Sequence, residues 1–84
     1  MTSARRIAVV LATEDLPRAR EAFRAAVGLC LRGDKVQVVL AVEPPTDDPD
    51  IRRAMGALQE FGHSVTRGDT SSAVEQADVV EVWT

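Results

Sequence analysis

Two short, almost unbroken apolar runs constrain this chain more than any other feature: Ile7-Ala8-Val9-Val10-Leu11-Ala12, and Val36-Gln37-Val38-Val39-Leu40-Ala41-Val42. A strand with one wet face alternates apolar and polar residues. A run without alternation has both faces covered, which is the signature of a parallel strand beneath two helical layers. A third strand is expected over Val79-Val80-Glu81-Val82-Trp83, broken by Glu81, and a weaker fourth over residues 63–67 around Ser64-Val65-Thr66.

Between the strands the period changes to that of a helix. From Leu16 the apolar positions are Ala19, Phe23, Ala26, Val27, Cys30 and Leu31, an i, i+3, i+4, i+7 stripe. Asp15 is placed to cap its start and Gly33 to end it. A second stripe is Ile51, Ala54, Met55, Leu58 and Phe61, with Asp48 before Pro49 as cap and first helical residue, and Gly62 as terminator. Ser72-Ala73-Val74-Glu75 fits a capping box opening a short third helix that ends near Ala77-Asp78.

The order β-α-β-α-β-α-β predicts one α/β domain over residues 1–84, a small flavodoxin-like three-layer sandwich on a parallel four-stranded sheet. With strand order 2-1-3-4, the first helix covers one face and the other two cover the opposite face. The net charge of −3 lacks the clustered basic excess of a nucleic-acid binder. A lone Cys and a lone His exclude a disulfide framework within the chain and leave no multi-Cys metal site, so no metal or cofactor is expected. No apolar stretch approaches the ~20 residues of a membrane span. The first apolar run stops at Thr13-Glu14-Asp15, short of a signal-peptide core, and the chain reads as cytoplasmic.

In open parallel sheets ligands sit beyond the carboxyl ends of the strands, where strand order reverses. With order 2-1-3-4 that crevice lies between the first and third strands. Its candidate lining is Thr13, Glu14 and Asp15 from one exit, and Arg67, Gly68, Asp69, Thr70, Ser71 and Ser72 from the other, with Glu43 and Thr46 close by. Capping explains Asp15, Asp48 and Ser72, and a turn explains Gly68. Glu14, Asp15 and Asp69 resemble a magnesium-binding rim, but no matching Lys follows on a later strand. Neither GxGxxG nor GxxxxGK[ST] occurs. Cys30 falls on the packed stripe at the end opposite the crevice, where a thiol acts as a small hydrophobe. His63 belongs to that far end too and reads as a strand-start residue. Arg18, Arg20, Arg24, Arg52 and Arg53 read as solvated helix faces.

The segments Ile7 to Ala12, Arg18 to Leu40, Ile51 to Val65 and Ala77 to Trp83 together resemble the DsrE/DsrF/DsrH-like sulfur-relay proteins in their order of apolar and glycine positions, including Gly28, Gly33 and Gly62. The resemblance implies a small flavodoxin-like fold that assembles with itself or with related subunits. In some members it also implies a persulfide-carrying Cys at the start of the helix after the third strand. The matching stretch here, Arg67-Gly68-Asp69-Thr70-Ser71-Ser72, has none, so no catalytic residue carries over. The expected function is therefore a non-catalytic DsrE-like subunit or binding module, a homo-oligomer with no nucleic-acid or membrane partner. Trp83 is a candidate interface anchor or a lid on the core. The alternatives are a sulfur carrier using Cys30, or a small-ligand or metal-binding domain using the acidic rim.

Overall fold

A computed structural model of the chain describes residues 5–44, 47–68 and 70–84. The elements follow the expected alternation: β1 (Arg6–Leu11), α1 (Leu16–Leu31), β2 (Lys35–Leu40), α2 (Pro49–Glu60), β3 (Ser64–Arg67), α3 (Ser71–Gln76) and β4 (Val79–Trp83). All strand pairs are parallel, and the sheet order is β3-β2-β1-β4.

That order corrects the expected 2-1-3-4, and the reason lies in β3. Of Ser64-Val65-Thr66-Arg67, only Val65 is partly buried. A central position beneath two helical layers would strip water from two hydroxyls and a guanidinium without partners, a cost of several kcal/mol on the order of. At the edge these groups stay wet. The centre goes to β1 and β2, whose side chains are almost all buried. The resulting local order is that of the first four strands of the doubly wound dinucleotide-binding sheet.

Helix placement follows from the order. Two right-handed crossovers in one direction, β1 to β2 to β3, put α1 and α2 on the same face. The return from β3 to the far side of β1 puts α3 on the other. The expected division, with α1 alone on its face, is corrected accordingly. Ile7, Val9, Leu11, Val36, Val38 and Leu40 point toward α1 and α2, where Phe23, Ile51 and Leu58 meet them with the alanines of α1. The opposite face is thinner. There Ala8 and Val39 meet Ala73 and Ala77.

Two of the three expected caps form. Asp15 Oδ2 accepts from the Arg18 N–H at 3.2 Å, and Asp48 Oδ2 accepts from the Ile51 N–H at 3.1 Å. Gly33 and Gly62 follow α1 and α2 with φ of +94° and +82°, a region that side chains with a Cβ rarely enter. The box at Ser72 does not form. The backbone already turns helical at Thr70 (φ −89°, ψ −12°), so Thr70 is the N-cap residue, without a side-chain cap bond, and Ser72 lies inside the first turn.

Asp48 does more than cap. It is 8% exposed, and its Oδ1 accepts from Arg20 Nη2 at 2.6 Å, which ties α1 to the start of α2. Arg20 is therefore a bridge rather than part of a solvated face. Its guanidinium, aided by the Ile51 N–H, holds the Asp48 carboxyl below the usual value of 3.8 despite opposing desolvation. A lowered native pKa favours the folded state once the carboxylate is ionised. The stabilisation is thus complete above about pH 4 and is lost as pH falls through the native value. Asp48→Asn should lower the Tm at neutral pH by roughly 5 °C. The denaturant-unfolding curves of variant and wild type should then converge between about pH 4 and pH 2. A gap that persists unchanged in acid would overturn this assignment.

Candidate functional site

The carboxyl ends of the strands do not form the crevice expected there. With order 3-2-1-4 the reversal lies between β1 and β4, and β3 stands two strands from β1, about 10 Å away. The expected lining is therefore split. Thr13, Glu14 and Asp15 leave β1. Thr13 is buried and its Oγ1 accepts from the Asp15 N–H at 3.1 Å, Asp15 caps α1, and Glu14 is exposed. Across the sheet, Arg67 meets Glu43 through Nε and Nη2 at 3.0–3.2 Å. Each of these partners stabilises the other's charged form, lowering the pKa of Glu43 and raising that of Arg67. Gly68 turns the chain out of β3 with φ +99°, Thr70 precedes α3 and Ser71 opens it. Thr46 and Asp69 lie outside the described residues.

The true reversal point is filled by the chain itself. Arg18 lies over the Trp83 ring, 5.5 Å from its centroid, and its Nε donates to the Thr84 carbonyl oxygen at 2.7 Å. Trp83 packs against the main core as well. It is a lid, and Arg18 latches it; Arg18 thus departs from the solvated-face reading.

A concavity lies at the other end of the sheet. About 580 Å³ opens at the amino ends of β1, β2 and β3, beside α3. Arg6, Lys35, Gln37, His63, Ser64 and Gln76 contribute polar groups to its wall, and Ala8 and Ala73 form part of an apolar floor. It exists because α3 has six residues and covers Ala8 with the small side chains of Ala73 and Ala77. His63 stands there with Nδ1 accepting from the Val36 N–H at 3.2 Å. That bond fixes the neutral tautomer, with the proton on Nε2 as a remaining donor.

Sequence reasoning missed this wall. The signal was present: Arg6, Lys35 and His63 stand at or just before the starts of three strands that the observed order makes neighbours. Order 2-1-3-4 keeps those strands adjacent too, but attention to the carboxyl ends passed over the amino ends.

Cys30 also sits at the amino end, on the opposite face, partly buried against the main core. Burial pushes its thiol pKa up; a backbone hydrogen bond opposes this in part, and nearby Asp34 adds the smallest, upward, contribution. Asp34 is itself buried, 3.6 Å from Arg5 Nε and 3.4 Å from Arg32 Nη2, with Oδ2 accepting no hydrogen bond among the described residues. Among those residues no group of three His, Cys, Asp or Glu side chains is arranged to hold a metal ion, and no helix is long and apolar enough to cross a membrane.

The Cys30 environment makes a kinetic prediction. In the folded protein at pH 7, a disulfide reagent should label Cys30 about tenfold or more slowly than it labels free glutathione, with the rate rising only in the alkaline range. Labelling as fast as glutathione would contradict the packed, raised-pKa thiol. Comparison of the chain with protein-family models, curated proteins and solved structures gives no match.

Proposed function

We propose that this chain is a small DsrE-like binding and assembly module that performs no covalent chemistry of its own and works as a homo-oligomer. The observation that carries the reading is the β4 edge. β4 closes one side of the sheet, and its alternate residues Val80 and Val82 lie 38% and 58% exposed on the thinly covered face. Val74 of α3 adds another exposed apolar side chain on that face. An open strand edge beside apolar residues is a template for strand addition, and a protein that keeps one needs something to cover it.

The occupant that fits is a second copy. β4 of one protomer against β4 of its partner, related by a two-fold axis, pairs the edge backbone groups that no described residue meets and brings the two valine patches together. A domain this small gains stability by extending its core in that way. Two features count against the alternatives. Cys30 is packed and its thiol pKa raised, which suits a core residue better than a sulfur carrier. The rim at the carboxyl ends spends Asp15 on a cap and Glu43 on Arg67.

Sedimentation equilibrium should show a dimer or larger species at about 10–100 μM, and Val82→Arg should shift it toward monomer while leaving the circular dichroism of the folded chain unchanged. A wild-type chain that stays strictly monomeric across that range would overturn the proposal.

A further inference from the structure

The cavity at the amino ends of the strands carries a separate inference, independent of the DsrE-like reading and of oligomeric state. Its size falls within the ~300–1,000 Å³ typical of small-molecule sites. Its wall is electrostatically unlike the rest of the chain. The protein has 13 acidic residues against 10 Lys and Arg, yet among the described residues no Asp or Glu lines the cavity, whereas Arg6, Lys35 and His63 do.

The cations of this wall are Arg6 and Lys35. Arg5, Arg20, Arg32 and Arg67 each meet a carboxylate. The side chains of Arg6 and Lys35 meet none among the described residues. They stand opposite each other in register at the starts of the two central strands, one strand spacing apart, and His63 stands next along the row, bonded to Val36 of β2. Two like charges rising from paired positions repel one another, and an anion between them relieves that repulsion. The Asp78 carboxylate, whose Oδ2 accepts from the Arg6 backbone N–H at 2.9 Å, offsets part of it without pairing with either side chain. His63 Nε2–H, Gln37, Ser64 and Gln76 add neutral groups able to hydrogen-bond its oxygens.

We propose that this cavity binds a small molecule through a phosphate monoester group, with Arg6 and Lys35 neutralising the phosphate and His63 donating to it from Nε2. Charge selects phosphate over carboxylate. A monoester carries about −1.5 to −2 at neutral pH and presents three acceptor oxygens, which matches two cations and one fixed neutral donor. A carboxylate presents two oxygens and a single charge, and so serves fewer of these donors. The floor of Ala8 and Ala73 accepts an apolar organic body, and the 59% exposed ring of Phe61 stands at the rim to cover it.

Phenyl phosphate is the probe, followed by two-dimensional amide NMR of the isotopically labelled full chain. Saturable shifts should centre on Lys35, Gln37, His63 and Gln76, and benzoate should bind about tenfold or more weakly. The double variant Arg6→Gln/Lys35→Gln should lose roughly tenfold or more in affinity while its Tm stays within about 3 °C of wild type. Arg52→Gln, an exposed arginine on α2, controls for general charge and should bind like wild type. Absence of saturable shifts up to about 10 mM phenyl phosphate, or undiminished binding by the double variant, would overturn the site. Benzoate binding as tightly as phenyl phosphate would overturn the assignment of phosphate.

Discussion

Burial of both faces of the β1–β2 pair is the constraint from which the other features descend. Val9 and Val38, paired in register, face one helical layer; Ala8 and Val39 face the other. Strands so apolar exclude water only at the centre of a sheet, which leaves the edges to β3 and β4. Once the order is set, right-handed connections assign two helices to one face and one to the other. The Arg20–Asp48 bridge then fixes how α1 and α2 meet.

That assignment makes the molecule unequal between its faces. The side under α1 and α2 is filled by large residues, including Phe23, Ile51 and Leu58. The side under α3 rests on alanines and Val39. Small side chains beneath a short helix leave space, and the space falls at the amino ends of the strands. At the carboxyl ends, where doubly wound sheets ordinarily take ligands, Arg18, Trp83 and the Thr84 carbonyl already fill the reversal point. The concavity of this molecule lies at the end of the sheet opposite to the customary one.

Much of the fold was legible in the sequence because its signals were local. Unbroken apolar runs marked β1 and β2, helical spacing marked α1 and α2, and Asp15, Asp48, Gly33 and Gly62 marked where those helices start and stop. Strand order is set by competition for the centre, which requires comparing strands with one another. The comparison was there to be made, since Ser64-Val65-Thr66-Arg67 is too polar for a central place. The Ser72 box failed for a different reason: a capping pattern specifies partners but not the backbone angle at the preceding residues, and Thr70 was already helical. The candidate rim failed because Glu43 and Arg67 satisfy each other and β3 stands apart from β1. The cavity wall drew no attention because each of its residues is unremarkable alone; only adjacency across three strands makes a group of them.

The slenderness of α3 has a dynamic consequence. Ala73 is its one fully buried residue, so little apolar surface holds it to the sheet, and its opening costs far less than unfolding β1 and β2. Because Ala73 and Gln76 of α3 also line the cavity, the ordering of α3 sets the shape of the space beside it, without any movement of the central strands.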